Sequence, residues 1–238
     1  MNRGRLLCSA LAALALGAGT ASAADHLRPQ QPPGQTLPMA PARTLSIATH
    51  AGSWMSLDIA PDGQSLVFDL LGDLYTLPVG GGAATQITRG LAFDTQPTVS
   101  PDGRWIAFVS DRSGAENLWV ARRDGSQARQ VTFGQDDTVL VSPAWAADGR
   151  ALFVSRYRPD LNNYELWRYG LDGTETLLTP IKPTPGAPRS AWRSTLGAAS
   201  SPDGRFLYFG RRVGGLSFDE ADAWTIVRRN LATGSETP

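Results

Sequence analysis

The sequence has almost no cysteine and little histidine. Among its 238 residues there is one cysteine, Cys8, and there are two histidines, His26 and His50. Because Cys8 lies in an N-terminal apolar run, the rest of the chain can form no disulfide and can offer neither a thiolate nucleophile nor a cysteine ligand to a metal. The two histidines belong to no cluster, so we expect no cofactor and no metal site in this chain.

The chain also lacks an excess of charge of either sign. Lys and Arg together number 22, as do Asp and Glu, and no block of like charge stands out. Nucleic acids and anionic membrane surfaces are bound through concentrated positive charge. We therefore expect no nucleic-acid partner. The 42% of hydrophobic residues is enough to build a buried core.

A long apolar run occurs at the N-terminus. Arg3 and Arg5 precede an apolar segment from Leu6 to Leu16, and a small-residue motif ends at Ala23. This is the pattern of a cleaved secretory signal, and the run is too short to span a bilayer. The sequence predicts a signal peptide over residues 1–23, a proline-rich extended leader over residues 24–42, a periplasmic or secreted product and no stable membrane insertion.

The remainder contains a repeated four-residue piece. It reads APDG at 60–63, SPDG at 100–103, AADG at 146–149 and SPDG at 201–204, with steps of 40, 46 and 55 residues between the glycines. The piece suits a type I turn, in which proline presets φ at the second position and glycine takes the left-handed fourth position. Because the turn explains the aspartates, we do not count them as catalytic.

Short strands follow each turn. Alternating apolar runs such as "WIAFV" at 105–109 and "NLWVA" at 117–121 are too short for helices, and the first three repeats end in a strand with a terminal threonine. Each repeat is thus an antiparallel meander of strands a, b, c and d. A period of this length predicts an all-β fold, a β-propeller of four-stranded blades over residues 43–238 with about four repeats present.

The two ends of this domain look incomplete. Leu45 to Thr49 resembles a d strand without its own a, b and c, while the fourth repeat supplies a, b and c and stops at Pro238 before the threonine of its d strand. These pieces either pair and close a four-bladed ring or belong to a longer propeller. We favour the longer propeller, which would leave bare blade faces at both ends.

The second repeat carries further motifs. It reads Ser-Pro-Asp-Gly at 100–103, Ser-Asp-Arg at 110–112, Leu-Trp at 118–119 and Asp-Gly at 124–125. These residues resemble the TolB-type propeller repeat, and the resemblance runs from about Gly52 to the C-terminus. It implies a fold and no particular activity.

Residues 51–103 are similar to the N-terminal propeller of exported bacterial amidohydrolase-like proteins. In that family the propeller precedes a metal-dependent hydrolase barrel whose metal is held by a His-x-His pair and further His and Asp residues. No position of this sequence matches those ligands. The resemblance therefore implies that a hydrolase domain lies outside this chain, which has no catalytic residue of its own.

Two alternatives stay open. The chain could be the propeller portion of a prolyl-oligopeptidase-type serine peptidase, although the nearest approach to the Gly-x-Ser-x-Gly motif, at 215–219, lacks the last glycine and no histidine follows it. It could equally be a stand-alone TolB-like periplasmic interaction protein.

A binding face is predicted from loop length. In a meander the b–c and d–a loops share one face, and they are long from Arg156 to Tyr164, from Arg211 to Asp222 and from Pro180 onward. Guanidinium and aromatic groups there suit a protein partner or a small-molecule or peptide ligand. The candidate ligand-binding residues are Arg156, Tyr157, Arg158, Tyr164, Trp192, Arg193, Arg211 and Arg212.

Overall fold

The structure is a computed structural model, and it describes residues 46–213 and 223–238. The predicted signal peptide, residues 1–23, and the predicted leader, residues 24–42, lie outside the described residues. So do residues 214–222, which include most of the predicted fourth b–c loop and the Gly-x-Ser-like stretch. Within the described part of the chain, no helix is long and apolar enough to cross a membrane.

The described residues form four antiparallel sheets, each of four strands that pair in chain order. We call the sheets blades 1 to 4. Blade 1 contains β1 (Leu57–Ile59), β2 (Ser65–Leu70), β3 (Asp73–Pro78) and β4 (Thr85–Gln86), and blade 2 contains β5 (Asp94–Val99), β6 (Trp105–Ser110), β7 (Asn117–Arg122) and β8 (Arg129–Gln130). Blade 3 contains β9 (Val139–Trp145), β10 (Ala151–Arg158), β11 (Asn163–Gly170) and β12 (Glu175–Thr179), and blade 4 contains β13 (Thr195–Ser200), β14 (Phe206–Arg212), β15 (Trp224–Asn230) and β16 (Glu236–Thr237). The predicted all-β propeller of four-stranded blades is confirmed.

The repeated turn joins the first two strands of every blade. In blade 2 the Gly103 N–H donates to the Ser100 carbonyl at 2.8 Å, and the Ser100 hydroxyl donates to the Asp102 carboxylate at 2.6 Å. That bond, helped by the backbone N–H of Arg104, lowers the pKa of Asp102 to about 2. The fourth residue of each turn has a φ of 66 to 69°, which glycine adopts without strain: Gly63, Gly103, Gly149 and Gly204.

Successive blades pack face to face through apolar side chains. Between blades 1 and 2, Val67 and Leu74 meet Ile106, Phe108 and Trp119. Similar clusters join blades 2 and 3 and blades 3 and 4. Because strand alternation turns successive side chains to opposite faces, a central blade needs apolar residues on both faces, and β6 and β7 are accordingly buried along most of their length.

The first strand of blades 2, 3 and 4 carries a register shift at one corresponding place. At this β-bulge Gln96, Ser142 and Gly197 have left-handed φ values of 54, 55 and 69°. The bulge turns each backbone N–H to an acceptor on the preceding blade: the Asp69 carboxylate at 2.8 Å, the Gln96 side chain at 2.7 Å and the Ser155 hydroxyl at 2.9 Å. The bulges therefore couple each blade to the one before it.

The expectation that the fourth repeat lacks its d strand is wrong. Residues Glu236 and Thr237 form β16 and pair with Arg229 and Arg228 of β15. A d strand of two residues is enough to complete a blade, because β4 and β8 are no longer. The sequence suggested a d strand from Leu45 to Thr49. Leu45 lies outside the described residues, and residues 46–49 form no strand and are exposed.

The first and last blades each keep one face without a neighbouring blade among the described residues. The three interfaces join blades in chain order, and no comparable packing joins the strands of blade 4 to those of blade 1. Leu57 and Ile59 of β1 are 63% and 51% exposed, and Ile226 of β15 is 66% exposed. In these exposed faces apolar side chains alternate along the strand, as they do at the interfaces between blades.

Candidate functional site

The third b–c connection is a projecting hairpin. The sequence suggested a loop from Arg156 to Tyr164, but β10 and β11 are each eight residues long and keep their pairing to Arg158 and Asn163. The loop itself is therefore only residues 159–162. The prediction failed because "RYRPDLNNY" is polar, whereas cross-strand aromatic and charged pairs stabilise a strand pair that projects past the end of β12.

One side of this hairpin carries the two predicted tyrosines. Tyr157 and Tyr164 are directly opposite each other across the strands, with ring centroids 5.1 Å apart. The Tyr157 hydroxyl donates to the Asn162 side-chain oxygen at 2.6 Å. Both rings are half-buried, so the pair presents a preformed aromatic surface with a polar edge.

The other side of the hairpin carries the two predicted arginines. Arg158 donates to both oxygens of Asp160, at 3.0 and 2.9 Å. Arg156 donates to the Thr138 hydroxyl at 3.3 Å and lies over the Trp167 ring at 5.6 Å. Both guanidinium groups are engaged within the chain, which makes them supports of the hairpin.

The hairpin is tied to blade 4. The Tyr164 backbone N–H donates to the Ser194 hydroxyl at 3.1 Å, and the Arg212 guanidinium donates to the Asn163 side-chain oxygen. Asn163 and Ser194 are buried. Arg212, a predicted ligand residue, thus holds the base of the hairpin.

The connection between blades 3 and 4 places the remaining predicted aromatic residue. It includes a 3-10 helix, Arg189–Ala191. The Trp192 ring N–H donates to the Ala187 carbonyl at 3.0 Å, and Lys182 lies 4.9 Å from the ring centroid. Trp192 is half-buried and stabilises the connection itself.

A pocket of about 350 Å³ lies between blades 3 and 4. It brings together the predicted residues Arg193 and Arg211 with two residues that the sequence did not suggest, Arg229 and Glu236. Glu236 accepts from Arg211 at 2.7 Å and from Arg229 at 2.9 Å. Burial raises the pKa of Glu236, but the hydrogen bonds and charges of the two arginines outweigh burial and leave the pKa below its usual value.

The structure therefore divides the eight predicted residues into separate groups. Four belong to the β10–β11 hairpin, Arg212 and Trp192 brace its surroundings, and Arg193 and Arg211 line the pocket. The sequence did not suggest Glu236, because this residue reaches the pocket only through β16. One signal for that strand is present in the sequence: the Thr-Gly pair at 233–234 can form a turn, after which a fourth strand is to be expected.

Over residues 46–213 and 223–238, no group of three or more His, Cys, Asp or Glu side chains is arranged to hold a metal ion.

Two curated proteins resemble parts of this sequence. An uncharacterized protein of Agrobacterium fabrum is 34% identical over 100 residues, which are 40% of this chain and 34% of that protein. Tricorn protease homolog 1 of Streptomyces coelicolor is 28% identical over 171 residues, which are 71% of this chain and 16% of that protein. The chain thus spans about a third of the first relative and about a sixth of the second.

Solved structures share the fold. A putative TolB from Agrobacterium tumefaciens has a TM-score of 0.57 and 23% identity, covering 76% of this chain and 59% of that chain. TolB from Acinetobacter baumannii has a TM-score of 0.58 and 19% identity, covering 76% and 42%. The tricorn protease has a TM-score of 0.54 and 12% identity, covering 79% and 18%. The expected TolB-like fold is confirmed.

The sequence also matches a model built for a whole protein family. The model for the Tricorn protease N-terminal β-propeller domain covers residues 58–208, from β1 to β14. This span is more than half of the chain and includes the interfaces between blades 1 and 2 and between blades 2 and 3. The chain belongs to the Tricorn protease N-terminal β-propeller family.

Proposed function

We propose that this chain is an exported β-propeller module that binds a protein or ligand on its long-loop face and has no catalytic residues of its own. We propose further that it is the N-terminal part of a larger amidohydrolase-like protein. The observation that supports binding is the β10–β11 hairpin, which projects past the end of β12 at the face where the long connections lie.

The hairpin has the properties of a rigid recognition element. The Tyr157 and Tyr164 rings contact each other in a tilted arrangement before any partner arrives, so little side-chain entropy is lost on binding. Arg212 and Ser194 fix the base of the hairpin to blade 4. A partner would therefore meet a preformed aromatic surface on a stable scaffold.

The larger protein is supported by two observations. Residues 51–103 resemble the propeller that precedes a hydrolase barrel in exported amidohydrolase-like proteins, and the chain spans only parts of the relatives that it matches. A propeller beside a hydrolase domain can dock substrate or limit its access to the site.

Two other arrangements remain as alternatives. One is the propeller portion of a prolyl-oligopeptidase-type serine peptidase, and the other is a stand-alone TolB-like periplasmic interaction protein. The reading frame beyond the codon for Pro238 distinguishes all three. A His-x-His motif with later His and Asp residues supports the amidohydrolase proposal, a Gly-x-Ser-x-Gly motif with later Asp and His supports the peptidase, and a stop codon supports the stand-alone protein.

Binding and export are tested on the protein from its own host. The periplasmic form should begin at Ala24, and N-terminal sequencing would show this. A photo-crosslinking amino acid at position 157 should form specific products with a partner or with a hydrolase domain of the same protein. The matched control is position 150, an exposed arginine beside the tight turn of blade 3. Equal labelling from both positions, or none from position 157, would overturn the binding proposal.

A further inference from the structure

We infer that the pocket between blades 3 and 4 binds a small organic acid through the free edge of the Arg211 guanidinium. This inference rests on the proposed function, since it names a ligand class for the same side of the propeller. It concerns Arg193, Arg211, Arg229 and Glu236, and it does not involve the tyrosines of the hairpin.

Arg211 uses only one of its two hydrogen-bonding edges. Its Nη1 donates to Glu236 at 2.7 Å. Its Nε and Nη2 atoms are buried and have no acceptor within the described part of the chain. These two atoms carry parallel N–H groups, which is the geometry that binds both oxygens of a carboxylate. Since a buried donor without an acceptor is unfavourable, a ligand that supplies two acceptors would relieve this cost.

The corresponding arginine of blade 3 has acceptors near the atom that lacks one in Arg211. Arg156 and Arg211 are both seven residues beyond the turn glycine of their repeats. Nη2 of Arg156 donates to Thr138 at 3.3 Å and lies 3.7 Å from Asp136. Nη2 of Arg211 has no acceptor within the described part of the chain, although its blade has the same architecture. The unpaired Nη2 therefore distinguishes Arg211 from Arg156.

The charges of the pocket favour an anion. Three arginines line it and one carboxylate, Glu236, is shared between Arg211 and Arg229. Arg193 is exposed and forms no ion pair with any residue that the structure describes, so it can attract an acid to the pocket. Because the pocket has three guanidinium groups and one carboxylate, its positive charge is in excess and favours a further negative charge.

The remaining lining and the size favour an organic acid over a bare inorganic anion. Leu178, Pro180 and Pro183 line the same pocket and can cover an apolar body. A volume of about 350 Å³ is at the lower end for small-molecule sites, so the ligand is small. The Arg211 guanidinium lies 5.2 Å from the Phe209 ring centroid and lines the same pocket.

Calorimetry on the mature full chain tests this inference with three probes. Benzoate carries the carboxylate on an apolar ring, benzamide has the same shape without the charge, and inorganic phosphate has the charge without the ring. We expect benzoate to bind at least tenfold more tightly than benzamide and more tightly than phosphate. Benzamide binding as tightly as benzoate would overturn the inference, and so would the absence of benzoate binding. Phosphate binding as tightly as benzoate would overturn the organic-acid assignment.

Two variants locate the site. Arg211→Met should weaken benzoate binding at least tenfold, to the level of benzamide, whereas the matched control Arg150→Met should change it less than twofold. Circular dichroism checks that both variants are folded, and Arg193→Met provides a second pocket variant if Arg211→Met is not. Unchanged binding in the folded pocket variant would overturn the inference. The crosslinking at position 157 is independent of these measurements, so failure of the pocket and failure of the proposed function are distinguishable.

Discussion

Removing the carboxylate of Asp69 should strongly destabilise the junction of blades 1 and 2. Asp69 is buried, with 5% of its surface exposed. It accepts hydrogen bonds from the Ser56 N–H at 2.9 Å, from the Thr95 hydroxyl at 2.6 Å and from the Gln96 N–H at 2.8 Å. The last two donors belong to blade 2, so one side chain of blade 1 satisfies the bulge of the next blade.

The magnitude follows from these three bonds. A hydrogen bond to a charged group contributes about 1.5 to 3 kcal/mol, and unsatisfied buried donors add a penalty of similar size. Because water can reach some of the released donors, we expect Asp69→Ala to lower the free energy of unfolding by about 3 to 4 kcal/mol, a large part of the roughly 5 to 15 kcal/mol of a typical domain. For a domain of this size the melting temperature should fall by about 10 °C.

Urea unfolding of the protein, followed by tryptophan fluorescence, measures this loss. The control is Asp62→Ala, since Asp62 is an exposed turn aspartate whose carboxylate accepts from the Gln64 N–H at 2.9 Å. We expect the control to cost about 1 kcal/mol or less. Equal losses in the two variants would refute the assignment of Asp69 as the acceptor that joins the two blades.

Three further perturbations test other parts of the fold. Gly103→Val should destabilise by at least about 1 kcal/mol more than Asp102→Asn, because a β-branched residue resists a φ of 69°; equal melting temperatures would contradict the turn geometry. Ser100→Ala should raise the pKa of Asp102 from about 2 toward its usual 3.8 while that of Asp203, which has its own serine, stays at about 2, as NMR titration would show. The depressed pKa stabilises the native protein above about pH 4, and this stabilisation is lost as pH falls toward 2, so Ser100→Ala should be less stable than the native protein at neutral pH and equally stable near pH 2. A difference in stability that appears only at acid pH would be inconsistent with this reasoning. Self-association of the protein, measured by ultracentrifugation, should decrease in Ile226→Lys without loss of stability, because Ile226 is 66% exposed; an unchanged mass distribution would exclude this face.

The sequence predicts the blades well because their signals are local. Each turn is specified by four consecutive residues, and the glycine at its fourth position has the left-handed φ that the motif requires. The strands alternate over five or six residues, which is enough to distinguish them from helices. Fold class and blade count therefore depend on short-range patterns that remain visible without any tertiary information.

The bulges and the projecting hairpin cannot be predicted from such local sequence patterns. Nothing in "DTQPTV" or "VLVSPAW" identifies Gln96 or Ser142 as a left-handed residue, because their strain is compensated by acceptors on the preceding blade. Asp69 looks like a polar interruption of an apolar strand until its three donors are seen. Such residues are determined by contacts between repeats, which have no fixed spacing in sequence.

The pocket has some residues that the sequence predicts and others that only contacts between strands determine. The sequence suggested Arg193 and Arg211 because they lie near long connections, and both do line the pocket. Its specificity, however, depends on Glu236, which occupies one edge of Arg211 and leaves the other without an acceptor among the described residues. Glu236 is brought there by a strand of two residues, too short to carry a periodic signal. The sequence predicts that Arg211 and Arg212 lie at the end of a strand. The tertiary structure determines which N–H groups of Arg211 are free to bind an acid.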